Sequence, residues 1–276
     1  MVSCWRPKAP LVGADLQDGR ASLARPSALL TGERWFTTGD LRASSRLCDE
    51  RTASPSPALF SAEMAKRTGR KLLAFDRRLG ARFVAGADEA GRGPLAGPLV
   101  VAGVLLDLES IRDHRARPLA LLNDSKQLDH RTRERLYGAV LACARCVSVH
   151  VFPPSVIDRD GLHRTNLRGL RAALAACQPA DVSLVDGFKL GPAAPPHRAI
   201  VDGDEKSAAI AAASIVAKVT RDRYMHAADA LYPAYGFSSH VGYITPVHSA
   251  VVRRVGPSEI HRRSFQALCY QDETAA

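Results

Sequence analysis

The stretch Val84-Ala-Gly-Ala-Asp-Glu-Ala-Gly-Arg-Gly-Pro-Leu-Ala-Gly-Pro98 runs an apolar strand into two adjacent carboxylates and then into a glycine-punctuated turn. An ionised carboxylate beside a core strand is costly unless it is paired or binds a cation. Successive strand residues point to opposite faces. Asp88 and Glu89 can therefore share one site only if the backbone turns there, and Gly91 and Gly93 supply that freedom. Taken alone, the stretch reads as well as a strand ending in a solvated acidic turn. The event recurs, however. Asp181-Val-Ser-Leu-Val-Asp186-Gly again ends an apolar strand on an acid, and Ile200-Val-Asp-Gly-Asp204 sets Asp202 and Asp204 around Gly203. Asp204 stands just before a long apolar helix and suits an N-cap as well as a cation ligand. Hard cations such as Mg²⁺ take oxygen ligands and keep several waters, so three or four carboxylates suffice to hold them.

The glycine loop between the first acids and Pro98 is not a P-loop, because no Gly-Lys-Ser/Thr follows it. It also misses the dinucleotide fingerprint, since its third glycine is Gly97 rather than residue 96. What remains is a loop whose backbone can approach a ligand beside the acids, with Arg92 placed to meet a phosphate. No Gly-x-Ser-x-Gly elbow and no paired Cys-His arrangement supports a metal-free hydrolase.

Outward from this stretch, strands and helices mix. Residues 82–87 read as a strand, 98–106 as a second, 131–144 as a helix and 147–152 as a strand. A helix over 166–177, strands at 182–185 and 199–201, and an alanine-rich helix over 207–230 follow. This order indicates an α/β sandwich. After residue 231 the chain is richer in His, Gly, Pro and Arg, as expected of a partly irregular, substrate-facing end.

Residues 1–63 are rich in Ser, Arg, Pro and Ala, show no sustained period, and read as a disordered or loosely ordered extension of the 64–276 domain. The text changes at Met64, which suits either a natural translation start there or a regulatory tail over residues 1–63. The extension carries 8 Lys and Arg against 7 Asp and Glu, which leaves 30 against 21 in the rest, so the basic excess belongs to the folded part. Such an excess suits a polyanionic partner. Of six cysteines only Cys143 and Cys146 form a C-x-x-C pair, with no second pair to complete a zinc tetrahedron, so core packing is expected of them. No secretory signal is evident, and the run from Leu95 to Leu106 is too short to span a bilayer. A cytoplasmic protein without membrane attachment is expected.

Several segments, in order, resemble ribonuclease HII, the type 2 ribonuclease H family. Asp88-Glu-Ala-Gly-Arg-Gly-Pro-Leu-Ala-Gly-Pro98 is similar to its opening motif, and Asn123-Asp-Ser-Lys-Gln-Leu128 to its Asp-Ser-Lys segment. Val185-Asp-Gly187 and Gly203-Asp-Glu-Lys-Ser207, with the run to Ala217-Lys-Val-Thr-Arg-Asp222, resemble its later acidic motifs. Tyr235-Gly-Phe237, His240-Val-Gly-Tyr243 and Ile260-His-Arg-Arg-Ser-Phe265 resemble its C-terminal signatures.

The resemblance implies an RNase H-like fold, a central mixed β-sheet flanked by helices with a helical C-terminal portion. It implies a metal-dependent endoribonuclease that uses Mg²⁺ or Mn²⁺ in two-metal-ion catalysis. The substrates implied are RNA–DNA hybrids and duplex DNA carrying single ribonucleotides, cut 5′ to the ribonucleotide to leave 3′-hydroxyl and 5′-phosphate ends. The four catalytic and metal-binding acids map onto Asp88, Glu89, Asp186 and Asp204, in preference to Asp202. The substrate-binding residues implied are Gly91, Arg92 and Gly93 at the ribose 2′-hydroxyl, which is what separates RNA from DNA, and Tyr243 on the neighbouring sugar. Beside them, Arg92 and Lys126 are read as holding the duplex on the basic face. Lys206 and Lys218 are further candidates for the nucleic acid, Lys218 being equally placed for a helical pair with Asp222. A monomer is expected. The chain departs from the family pattern at Val241, where a lysine is common, and at Glu205, where an alanine is common; the 1–63 extension has no typical counterpart. The rival readings are an RNase H-like DNA junction nuclease and a catalytically silent hybrid-binding protein.

Overall fold

The structure, a computed structural model, describes residues 34–37, 59–111 and 118–270. Six strands form one mixed sheet in the order β1-β4-β3-β2-β5-β6. They are β1 (Arg34–Thr37), β2 (Phe83–Ala90), β3 (Leu99–Asp107), β4 (Cys146–Phe152), β5 (Val182–Asp186) and β6 (Arg198–Ile200). β1–β4, β4–β3 and β3–β2 pair antiparallel, whereas β2–β5 and β5–β6 pair parallel. The described helices are α1 (Leu59–Arg77), α2 (His130–Cys143), α3 (Pro154–Asp160), α4 (Leu162–Ala176), α5 (Ala208–Leu231), α6 (Phe237–His240) and α7 (Pro246–Val255).

β3 is a nearly unbroken apolar run because both of its faces are covered. Val100, Ala102, Val104 and Leu106 join the core beneath α1, α2 and α5, while Leu99, Val101 and Leu105 join the one beneath α3 and α4. The same alternation in β2 sends Val84 to the first core and Ala85 and Ala87 to the second. α5 is buried almost all round through its first three turns, from Ala208 to Ala217, as a helix pressed centrally on a sheet must be. Gly86 permits that approach: a Cβ there would lie 2.2 Å from the Ala209 carbonyl carbon. The Ser207 hydroxyl caps α5 by accepting from the Ile210 amide, so the cap reading of Asp204 does not hold. Asp204 lies instead in a 3-10 turn, Gly203–Glu205, one step upstream.

Two differences from the sequence reading bear on the site. β2 does not end at Ala87 but carries Asp88 and Glu89 within the strand, paired with Ala102 and Val101 of β3. The chain turns after Ala90, because β3 continues to pair with β2 through both acids. The second difference is at the N-terminal side. The expected 1–63 extension lies largely outside the described residues, but Arg34–Thr37 forms an edge strand on β4, and α1 runs unbroken across the 63/64 boundary. The C-terminal portion forms a third cluster, in which Tyr235, Phe237, Val252 and Ile260 pack with Leu95 and Ala96 of the glycine loop and Met225 of α5. Cys143 and Cys146 are partly buried against the two sheet cores, as expected of packing cysteines. Among the described residues no helix is long and apolar enough to cross a membrane.

Candidate active site at the strand ends

The parallel register sets Ala87 of β2 beside Val185 of β5, so the next residues along, Asp88 and Asp186, leave neighbouring strands at the same end of the sheet. Asp186 is opposite Ile200 of β6, and its Oδ1 accepts the Gly203 amide at 2.7 Å, which folds the Gly203–Glu205 turn back over the strand ends and brings Asp204 in. Asp88 is only 5 % exposed. It points to the α5 face, where it is hydrogen-bonded by Ser214, and its Oδ1 accepts the Glu89 amide at 2.7 Å. Glu89 points to the opposite face, toward Asn166 of α4, and is paired with Arg92 at 3.4 Å.

Electrostatics joins these acids into one site. Burial, then Glu89 and Asp186, drive the Asp88 carboxyl well above its ordinary value. Burial raises Glu89 to about 7; Arg92 opposes that rise and Asp186 adds to it. Asp204 is raised by burial, then by Asp186 and Asp124, against the pull of Lys126. Burial works against the Lys126 charge, but Asp124, Asp204, Asp88 and Asp186 outweigh it and raise that ammonium. Each of the three shifted acids is thus disfavoured as an anion by burial and by its neighbours. Among the described residues, Glu89 Oε2 is also buried without a hydrogen-bond partner. Such a set fits a cation, which removes the repulsion and satisfies the orphaned oxygen. Among the described residues, no three His, Cys, Asp or Glu side chains are gathered as a preformed metal-ligand set.

The glycine loop and Tyr243 lie against each other beside the acids. A Cβ on Gly93 would be 3.9 Å from Tyr243 Cε1, and the leucine and alanine amides of Leu95 and Ala96 both donate to the Gly242 carbonyl. Tyr243 is 44 % exposed, with the Lys218 ammonium 6.0 Å and the Arg221 guanidinium 5.9 Å from its ring centre. Gly91 holds φ +94°, a conformation that favours glycine, and a side chain there would strike Arg221. Arg92 is exposed, its guanidinium lying 4.8 Å over the Phe188 ring as well as beside Glu89. Lys218 is ion-paired with Asp222 at 2.7 Å, the helical pairing its spacing allowed. Lys206 donates to the Val201 carbonyl instead of reaching toward the acids.

Sequence reasoning did not single out Asp124, Ser214, Asn166, Phe188, Arg221 or Arg262 for the site. Asp124 is buried, accepts the Lys126 amide at 2.9 Å and acts on Asp204. Ser214 carried a usable signal, as the single hydroxyl between Ala208 and Ala217 in an otherwise apolar run. The others owe their position to chain reversals that no local pattern announces.

Known proteins resemble this chain in sequence and in fold. The family model described as Ribonuclease HII matches residues 85–268. A ribonuclease HII of Geobacillus thermodenitrificans (strain NG80-2) is 41% identical over 204 residues, 73% of this chain and 76% of the relative. The solved ribonuclease H2 of Pyrococcus horikoshii OT3 superposes with TM-score 0.58 and 27% identity, over 67% of this chain and 94% of that one. A Bst-RNase HIII in complex with Mn²⁺ has the same fold at TM-score 0.53 and 20% identity, covering 79% of this chain and 73% of that one.

Proposed function

The chain belongs to the ribonuclease HII family, and from that premise we propose that it is an endoribonuclease for RNA joined to or paired with DNA. It hydrolyses the RNA strand of RNA–DNA hybrids and incises 5′ to single ribonucleotides in duplex DNA, leaving 3′-hydroxyl and 5′-phosphate ends. The observation that carries this reading is the adjacency of two features: buried, mutually repelling acids at the ends of β2, β5 and the turn after β6, and the Gly93–Tyr243 surface beside them.

Asp88, Glu89, Asp186 and Asp204 would hold Mg²⁺ or Mn²⁺. When bound, two such ions stabilise the attacking and departing oxygens of a phosphodiester displacement. The chain's own groups supply binding and selection. Arg92, exposed and braced by Phe188, meets a backbone phosphate. The backbone of Gly91, Arg92 and Gly93 approaches the 2′-hydroxyl, in a loop whose φ +94° at Gly91 and whose packing against Arg221 favour glycine there. The half-exposed Tyr243 ring stacks on the sugar next to the ribonucleotide. Lys126 offsets the charge of the acids and faces the incoming phosphate. Of the chain's positive excess, nine charges lie beyond residue 63, where they favour association with duplex nucleic acid.

Incubation with an end-labelled DNA duplex carrying one ribonucleotide, with Mg²⁺ or Mn²⁺, tests the reading. A nick on the 5′ side of the ribonucleotide and an intact all-DNA control are expected. Cutting of the control would favour a DNA junction nuclease, and binding without a nick would favour a silent hybrid-binding protein.

A further inference from the structure

Arg221 of α5 and Arg262 of the C-terminal segment are 1% and 0% exposed, side by side, and among the described residues neither makes an ion pair. Their donors go to backbone carbonyls. Arg221 donates from Nε to Pro98 at 3.1 Å, from Nη2 to Ala96 at 2.9 Å and from Nη1 to Val241 at 2.9 Å. Arg262 donates from Nε to Gly97 at 3.0 Å, from Nη1 to Arg92 at 3.1 Å and from Nη2 to Gly91 at 2.5 Å. Five of the six acceptors belong to the loop from Gly91 to Pro98, and the sixth lies two residues before Tyr243.

We infer that Arg221 and Arg262 are specificity-determining positioning residues: a buried two-guanidinium clamp that fixes the Gly91–Gly93 backbone against Tyr243, and so sets the spacing over which a ribonucleotide–deoxyribonucleotide junction is read. The inference rests on the substrate reading proposed above. Turning these carbonyls inward occupies the acceptors of the loop, so the face it presents to nucleic acid is left with its remaining backbone groups and the Arg92 side chain. Arg221 alone touches both halves, which makes it the cross-tie, while Arg262 anchors the loop at both of its ends. Planar guanidinium forks suit this task because each reaches three carbonyls in fixed directions, which an ammonium on a flexible stem does not. Two like charges buried together are expensive for the fold. Burial lowers Arg221 to about 10, and burial together with the Arg221 charge lowers Arg262 to about 9, so both stay charged at neutral pH. A purely apolar filling would avoid that desolvation cost, but it would leave the loop's carbonyls without donors.

The test compares Arg221→Lys and Arg262→Lys with wild type on two substrates: a DNA duplex with one embedded ribonucleotide and a uniform RNA–DNA hybrid. These variants keep the charge and discard the fork. We expect kcat/KM on the embedded ribonucleotide to fall about tenfold to a hundredfold and the preference between the substrates to shrink. Calorimetric binding of Mn²⁺ is expected to stay at the wild-type affinity. Equal losses on both substrates, or lysine variants that match wild type, overturn the inference. Should a lysine variant lose its thermal transition, the other decides, since each contacts the loop independently. Wild-type protein that cuts neither substrate overturns the reading beneath the inference, a result distinct from the others.

Discussion

The Ser214 hydroxyl lies 3.0 Å from the Ser125 hydroxyl in a buried contact that ties the Asp124–Lys126 loop to helix α5 directly beneath Asp88. Arg133 holds the same loop from the other side, donating to the carbonyls of Ser125 and Leu128. Lys126 thus reaches the acids from a loop anchored twice.

Ser214→Ala removes the hydroxyl bonded to the Asp88 carboxylate and leaves the Ser125 hydroxyl short of a buried partner. A loss of about 1–3 kcal/mol in folding stability is expected. The Asp88 anion is expected to become harder still to form, so Mg²⁺ affinity should fall more than in Ser125→Ala, which leaves the Ser214–Asp88 bond in place. Denaturant melts together with calorimetric Mg²⁺ titration check this; equal metal affinity in the two variants would refute the ordering.

Asp88→Asn removes one of the repelling buried charges without changing side-chain shape. Cutting should drop at least about a thousandfold, since a metal ligand is worth several kcal/mol to the transition state. The metal-free variant should melt no lower than wild type, and the stabilisation gained on adding Mg²⁺ should shrink. Differential scanning calorimetry with and without metal reads both effects. Near-normal turnover would remove Asp88 from the catalytic set.

Three buried histidines lie behind Tyr243. His261 Nδ1 accepts the Ser258 amide at 2.9 Å, which leaves its Nε2 to donate to His248 Nε2 at 3.0 Å. His248 Nδ1 in turn donates to the Tyr243 carbonyl at 2.8 Å, and the His240 ring stacks on His248 at 4.2 Å. The relay requires neutral rings. Burial, then the charges of His248 and Arg263, lowers His261 from 6.5 to about 3, and burial also lowers His248. The unfolded chain therefore takes up a proton below pH 6.5 that the folded His261 refuses until about pH 3. Its contribution to stability is complete above pH 6.5 and is lost as pH falls from there toward 3. His261→Asn should flatten the acid limb of a stability-against-pH profile between 6.5 and 4, and an unchanged limb would show that other groups carry it.

Gly86→Ala puts a methyl into the Ala209 backbone, with no flexible side chain to give way. Overpacking of this kind costs about 1–3 kcal/mol or more, and here it displaces β2 two residues before Asp88. Both the melting temperature and the turnover number are expected to fall; an unaltered melt would mean that the strand and helix are further apart than described.

The periodic segments were legible because burial imposes their period. The alternation in 98–106 and the alanine-rich 207–230 correspond to β3 and α5 within about a residue at most ends. The acids at residues 88, 186 and 204 were legible because carboxylates seldom end apolar runs without a reason. α1 and β1 were not, since a helix containing Thr68 and Gly69 and an isolated four-residue strand owe their form to tertiary pairing. The condition that Asp88 and Glu89 share a site only at a turn is too strict: β2 continues through both because β3 pairs with it there, yet each still stands in the field of Asp186. Arg221 and Arg262 were invisible as a pair, because 41 residues separate two side chains that meet under one loop.

The most direct test is anomalous diffraction from crystals soaked in Mn²⁺. The account predicts a peak enclosed by Asp88, Glu89, Asp186 and Asp204, within reach of a phosphate placed between Arg92 and Lys126. An empty strand-end site at saturating Mn²⁺, or a peak held elsewhere by other groups, would contradict it.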